Sequence, residues 1–153
     1  MAYDSKPDTI RHSVRVGELM SQLINQLRNR AVTHDLSKTE EPELSIFNEF
    51  TPKLKELTYG SDEYKECLVA MGEGLKHHYA HNRHHPEYFG IDGISGMTLV
   101  DLVEMLADWK AATERQDNGS LERSLGIQKE RFGISDQLAH ILYNTAVEFG
   151  WIE

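Results

Sequence analysis

Apolar residues recur at helical spacing along most of this chain, and no convincing run of alternating apolar and polar residues indicates a strand. The clearest case is near the N-terminus, where Val16, Met20, Leu23 and Leu27 are spaced by four, three and four residues. This spacing predicts one stripe of side chains buried against other helices. The expected fold is therefore all-α, and its length of 153 residues suits a single domain over 1–153. We expect six or seven helices.

Residues that cap or break helices mark the expected boundaries. Pro7 opens the first helix, Thr51-Pro52 starts a short one from Lys53 to Tyr59, and Gly60-Ser61-Asp62 caps a long one to about His81. Residues 83–96 contain Pro86 and three glycines, which predict a loop. The later boundaries are a capping box at Thr98 and Asp101, a turn at Asp117-Asn118-Gly119, caps at Ser120 and Ser135, and stops at Gly133 and Gly150.

Composition excludes several functional classes. A net charge of −9 argues against general binding to nucleic acid, which requires basic surface. Cys67 is the only cysteine, so an internal disulfide and a cysteine-based zinc site are excluded. The opening residues lack the apolar core of a secretory signal, and no stretch approaches the ~20 apolar residues of a membrane span. We therefore expect a cytoplasmic protein that does not bind membranes.

Histidines are concentrated in one segment, because five of the eight lie within residues 77–85. Neutral imidazole is the commonest metal ligand in proteins. Pro86 disfavours helical geometry at His85, so we expect the helix to end near Asn82 and leave His84 and His85 free to turn back toward a site. The segment predicts a metal site, and the alternative is a set of solvated histidines at a helix end.

Three further positions are candidate ligands. His34 is followed directly by Asp35, and both can reach one ion where a helix ends. Asp108 shares a helix face with Asp101 and Glu104, an arrangement that suits a nearby cation. His12 can share an ion with His34 only if the chain reverses between them, which we place within residues 25–30. The alternative for His34 and Asp35 is a surface histidine followed by an aspartate that caps a helix. For Asp108 it is a solvated acidic face, and for His12 it is a hydrogen-bonded histidine in the core.

Together these residues resemble the HD-domain metal-dependent phosphohydrolases. The string His-Asp-Leu-Ser-Lys at 34–38 is similar to that superfamily's His-Asp signature. The segment from His78 to Glu87 and the Asp-Leu-x-Glu-Met segment at 101–105 are similar to those of an uncharacterised HD-like family of bacteria and phages. The resemblance covers residues 12–110 and implies a compact HD-domain-like helical bundle.

The resemblance also implies a ligand set. Its first metal would be held by His12, His34, Asp35 and Asp108. A lone histidine and a His-His pair complete the second metal site in some superfamily members, and His78, His84 and His85 match them by type and order. These three histidines could instead bind phosphate or act as acids. Histidine and carboxylate ligands suit a divalent transition metal (Mn, Fe, Co, Ni or Zn) and also permit Mg, with one ion or two.

The implied chemistry is hydrolysis of a phosphate ester, with a nucleotide as the expected small-molecule substrate. Asp35 would position the attacking water, and Glu41, one of three glutamates at 40, 41 and 43, would be a general acid or base. These glutamates could equally be a helix N-terminus rich in carboxylates. Lys38, which we also count as catalytic, would bind the substrate phosphate together with Arg83 and Lys110.

Two other functions remain open at this stage. A di-iron oxygenase would use the excess of histidines to bind iron and would consume dioxygen. A non-catalytic module with an HD-like fold would bind a nucleotide or a protein without turnover. The last helix carries Leu138, Ile141, Leu142, Ala146 and Phe149, which suit either the core or a homodimer contact.

Overall fold

A computed structural model describes residues 3–58, 60–115 and 119–152, and within these ranges it contains helices and no strand. The elements are seven α-helices and two 3₁₀ helices, the latter labelled η: α1 (Lys6–Thr33), η1 (Leu36–Thr39), α2 (Glu43–Glu56), α3 (Asp62–Ala70), α4 (Gly72–His81), η2 (Pro86–Gly96), α5 (Leu99–Thr113), α6 (Leu121–Phe132) and α7 (Asp136–Glu148). The all-α prediction is confirmed. In the part of the chain that the structure describes, no helix has the length and apolar character required to cross a membrane.

The chain divides into two units, residues 1–34 and residues 35–153. The first contains α1 alone, and none of the described side chains of α1 is buried. Helix α1 has no other helix within its own unit to pack against, so the burial of the predicted stripe stays a prediction. The single domain over residues 1–153 stays a prediction.

Helix α1 also lacks the chain reversal predicted within residues 25–30, since it continues to Thr33. That prediction was wrong because the segment contains neither glycine nor proline, and its glutamine, leucine and arginines are good helix formers. The beginning of the helix agrees with the sequence, because Pro7 lies in its first turn.

Most of the later boundaries are confirmed. Thr98 and Asp101 form a complete capping box at the start of α5. The hydroxyls of Ser120 and Ser135 cap α6 and α7, and Gly133 ends α6 in the left-handed conformation at φ 60°. The predicted turn at 117–118 lies outside the described residues.

Three expectations about the middle of the chain were wrong. Helix α2 passes through Pro52 without a new start, and Pro52 and Asn48 are both exposed, so water can satisfy the carbonyl that proline leaves unbonded. The long helix expected to end at His81 is divided into α3 and α4, because Gly72 adopts a left-handed φ of 50°. The loop expected over 83–96 contains η2, which kinks at Gly90 and Gly93.

The hydrophobic core of the second unit is formed mainly by its last three helices. Met105, Leu106 and Trp109 project from α5 and pack with Leu121 of α6 and Leu142 of α7. This core fixes α5 and α6, which both contribute residues to the site described next.

Candidate metal centre

The end of α4 brings three histidines together. His78 lies in its last turn and is only 1% exposed. The backbone then becomes extended at Asn82 and again at His85, the residue before the proline that opens η2. His84 and His85 consequently fold back onto His78, with ring centroids 6.0 and 4.8 Å from it. The helix end predicted near Asn82 is confirmed.

Asp35 reaches the same place from the other side, at a tight turn. Its φ of 57° and ψ of 13° are left-handed, a conformation that aspartate tolerates better than most residues. The turn is held against α4 by Asn82, whose amide donates to Ser37 Oγ of η1 and to the carbonyl oxygen of His78, both at 2.8 Å. A left-handed residue other than glycine is uncommon and often marks a functional site.

These four residues point one donor atom each at a common centre. Asp35 Oδ1 lies 3.3 Å from His78 Nε2 and 3.4 Å from His84 Nε2. His78 Nε2 and His85 Nε2 are 2.9 Å apart. One donor atom from each of the four lies within 4.8 Å of the others. Roughly 3 Å is the separation expected between two nitrogens that bind the same ion at about 2.0–2.1 Å.

A buried glutamate orients the most deeply buried ligand. Glu43, the first residue of α2, is 0% exposed. Its Oε2 lies 2.8 Å from His78 Nδ1 and accepts from Ser37 Oγ at 2.9 Å, while its Oε1 lies 2.7 Å from His77 Nδ1. A hydrogen bond from Nδ1 to a carboxylate fixes the tautomer that leaves Nε2 unprotonated and able to bind a metal.

Helix α5 adds two more carboxylates. Glu104 Oε1 lies 3.4 Å from His84 Nδ1, which repeats the arrangement of Glu43 and His78. A carboxylate oxygen of Asp108 lies within 4.8 Å of one from Asp35. The third acid of the predicted face, Asp101, is buried and paired elsewhere. Two of the three acids therefore lie beside the centre, as expected for a helix face next to a cation.

The charge states of the cluster also suit a cation. Burial lowers the pKa of His85 to about 2, assisted by the neighbouring His84 and His78. Burial and then Lys38 lower the pKa of His78. Burial alone would raise the pKa of Glu43, but hydrogen bonds from His77, His78 and Ser37 outweigh it and lower that pKa. Two histidines thus stay neutral, and Glu43 stays ionised to balance a bound cation.

This donor set fits a divalent metal. Three imidazoles and one carboxylate match zinc, iron and their neighbours better than magnesium, which prefers oxygen ligands and retained water. Asp35, His78, His84 and His85 would hold the ion, and Glu43 and Glu104 would orient two of the histidines.

The centre opens on a cavity of about 950 Å³. Asp35, His78, His85 and Asp108 all line it. Of the described lining residues, five carry a positive charge (Lys38, Lys55, Arg115, Arg123 and Arg131) and three carry a negative charge (Asp35, Glu56 and Asp108). The described part of the cavity wall therefore has a net positive charge, in a chain whose net charge is −9.

Arg131 is connected to the metal cluster by Tyr79, which contacts both Arg131 and His85. The ring of Tyr79 is 4.8 Å from that of His85, and its hydroxyl accepts a hydrogen bond from Arg131 at 3.4 Å. Glu87 accepts from the same guanidinium at 2.7 Å and helps to hold it. Burial raises the pKa of Tyr79, so its hydroxyl stays protonated. Sequence reasoning missed Arg131, because α6 carries no motif.

Two of the predicted catalytic residues have different placements. Lys38 Nζ is 2.5 Å from Asp35 Oδ2, lies over the ring of Phe47 and lines the cavity. Glu41 instead lies on the surface and accepts a hydrogen bond from Ser45, outside the described lining of the cavity. Glu41 precedes α2 and is exposed, whereas Glu43 begins α2 and is buried, so the catalytic role of Glu41 stays a prediction.

The other two predicted substrate-binding cations are not among the described residues that line the cavity. Arg83 makes a two-pronged ion pair with the buried Asp101, at 3.2 and 3.0 Å, so its role here is structural. Lys110 Nζ lies 3.2 Å from Glu114, one helical turn away. The Arg83–Asp101 pair joins residues 18 apart, which no local pattern indicates, whereas the spacing of Lys110 and Glu114 is readable in the sequence.

His12 and His34 belong to the first unit. Helix α1 separates them without a break, and at about 1.5 Å per residue their backbones are about 33 Å apart. The expectation that both bind one ion within a single chain is therefore wrong. His34 follows the end of α1, and its role as a ligand stays a prediction.

The fold and the site define an all-helical protein with a candidate histidine–aspartate metal cluster beside a cationic cavity. The chain belongs to the family described as "Family of unknown function (DUF5662)", whose profile matches residues 1–148. No curated protein and no solved structure matches it.

Proposed function

We propose that this protein is a metal-dependent phosphohydrolase that acts on a nucleotide or a similar phosphate ester. One observation carries the proposal: Asp35 and three histidines converge at a cationic cavity. The convergence supports a bound metal, and the positive lining supports an anionic substrate. The resemblance of the His-Asp-Leu-Ser-Lys string to HD-domain phosphohydrolases points the same way.

Each residue then has a task. A divalent ion in this cluster would lower the pKa of bound water from 15.7 toward ~7 and offset charge on the phosphoryl oxygens. Lys38 and Arg131 supply positive charge on the cavity wall and bind the phosphate. Tyr79, which stays protonated, donates a hydrogen bond to it. Asp108 accepts the proton of the attacking water, since its carboxylate lies within 4.8 Å of that of Asp35.

The test begins with metal content, measured on protein purified without a histidine tag. We expect one or two equivalents of a transition metal in the wild type and a loss of metal in Asp35→Asn and His85→Ala. His140→Ala is the matched control, because His140 is an exposed histidine of α7 bonded to a backbone carbonyl. This variant should retain the metal.

Phosphate release from a panel of nucleotides then tests the reaction. We expect release by the wild type and by His140→Ala, and none by the two cluster variants. Release that continues under nitrogen separates hydrolysis from dioxygen chemistry. Nucleotide binding without release, in every metal offered, would instead identify a binding module and refute the enzymatic proposal.

A further inference from the structure

Four of the six α6 residues that line the cavity are polar, and the other two are Ile127 and Phe132. Ser124 is 5% exposed and Gln128 is 3% exposed, and both line the cavity. They lie on the same helix face as Arg123 and Arg131, which also line it. Helices that face an interior normally present apolar side chains there. A face of hydroxyl, amide and guanidinium groups suits a polar, anionic occupant.

The two arginines of this wall serve different parts of the cavity. Arg131 lies next to the metal cluster through its contact with Tyr79. Arg123 is eight residues earlier on the same helix, or about 12 Å along its axis. Lys55 and Arg115 are further cations of the lining. A phosphate beside Arg131 and a phosphate beside Arg123 would therefore occupy separate parts of this wall.

The size of the cavity also indicates an occupant larger than a single phosphate group. A volume of about 950 Å³ lies in the upper part of the range for ligand sites, so a phosphate group alone would fill a small fraction of it. Among the described lining residues there are three carboxylates, and two of them, Asp35 and Asp108, belong to the metal end. The third, Glu56, is then the described counterpart of Lys55, Arg115 and Arg123. This remainder has a net positive charge.

We infer that Arg123 and the adjoining face of α6 form a second anion subsite, and that the substrate carries a second phosphate group remote from the one that is hydrolysed. The inference deepens the proposed function and rests on it for the identity of the hydrolysed group. The substrate class is thus a bisphosphorylated compound whose two phosphates are separated by a spacer.

Alkanediol bisphosphates of increasing chain length test the distance between this subsite and the phosphate site at the metal cluster. Their affinities are measured by calorimetry on the metal-loaded protein and compared with those of the matching alkanediol monophosphates. We expect the bisphosphate to bind at least tenfold more tightly at the spacer length that reaches Arg123, as expected for one charge-assisted contact. Shorter spacers should give no gain.

Two variants of α6 make the comparison specific. Arg123→Gln should abolish the tenfold gain and leave monophosphate affinity unchanged, whereas Arg123→Lys should restore part of the gain. Lys129→Gln is the matched control, since Lys129 lies on the same helix but pairs with Asp136 at 2.6 Å. It should keep the whole gain.

The outcomes separate the subsite from the proposed function. Equal affinity for mono- and bisphosphates at every length, or a gain that survives Arg123→Gln, overturns the subsite even if phosphate release is observed. A gain that requires Arg123 in a protein that releases no phosphate would refute the hydrolase and retain the subsite.

Discussion

Glu43→Gln is the substitution that tests most directly how the metal centre is built. Glu43 uses both carboxylate oxygens as acceptors, Oε1 for His77 and Oε2 for His78. Glutamine has nearly the same shape but replaces one acceptor with an NH₂ donor. Whichever histidine faces that donor must either lose its hydrogen bond or move its proton from Nδ1 to Nε2. If that histidine is His78, the protonated Nε2 can no longer bind a metal.

The size of the effect follows from this geometry. Loss of a carboxylate that orients a metal-binding histidine typically costs 10- to 100-fold in metal affinity, or about 1.4–2.7 kcal/mol. A buried hydrogen-bonding group left unsatisfied costs about 1–3 kcal/mol of stability in the metal-free protein. We therefore expect Glu43→Gln to fold, to be less stable and to bind metal 10- to 100-fold more weakly.

The assay is a competitive metal titration with a chelator of known affinity, paired with urea unfolding of the metal-free protein. Glu41→Gln is the matched control, because Glu41 is two residues earlier, exposed and bonded only to Ser45 among the contacts that the structure gives it. It should match the wild type in both measurements. Wild-type metal affinity in both Glu43→Gln and Glu43→Ala, which removes both acceptors, would refute the orienting role of Glu43.

Three further predictions test other parts of the second unit. Arg83→Ala leaves the buried Asp101 without its two-pronged partner and should cost about 2–3 kcal/mol in urea unfolding while metal affinity stays unchanged; a lower metal affinity would contradict the structural role. The pKa values of His78 and His85 are lowered in the folded state, so the unfolded chain binds more protons below its ordinary histidine pKa of 6.5. Stability of the metal-free protein should therefore be fully present above pH 6.5 and fall below it, by about 1.4 kcal/mol per pH unit for His85, with His78 adding to the fall, and a flat urea-unfolding profile from pH 7.5 to about 5 would count against buried neutral imidazoles. Gly74→Ala would place a Cβ 2.5 Å from a side-chain carbon of α2 and should cost about 1–3 kcal/mol by thermal unfolding; an unchanged melting temperature would show that α2 and α4 separate easily.

The sequence predicts the helical class and many helix ends because these depend on local chemistry. Thr98 caps α5 because its side chain accepts a hydrogen bond from the backbone amide of Asp101, three residues later. Gly133 ends α6 because glycine readily adopts the left-handed conformation. The failures have other causes. The chain reversal predicted within α1 rests on two asparagines, whose weak preference against helix the neighbouring helix formers outweigh. The division of the predicted long helix into α3 and α4 depends on one left-handed residue, Gly72, within an otherwise helical pattern.

The candidate site could be predicted in type but not in composition. The ring of His85 lies near that of His78 because the chain turns before Pro86, which the sequence indicates. That Asp35 joins them depends on the packing of η1 against α4 through Asn82, a contact between residues 45 apart. The same holds for Glu43, which the sequence presents only as one of three neighbouring glutamates. Long-range contacts of this kind leave no periodic signal in a single sequence.

Asp35 links metal binding to substrate binding, and this affects how its variants are interpreted. Its Oδ1 faces the histidines, while its Oδ2 holds Lys38 at 2.5 Å. Substitution of Asp35 therefore removes a metal ligand and also releases the cation that would bind the phosphate. Loss of activity in such a variant cannot separate the two roles. His85→Ala removes a ligand without disturbing the ion pair, so a difference in substrate affinity between the two variants measures what the position of Lys38 contributes.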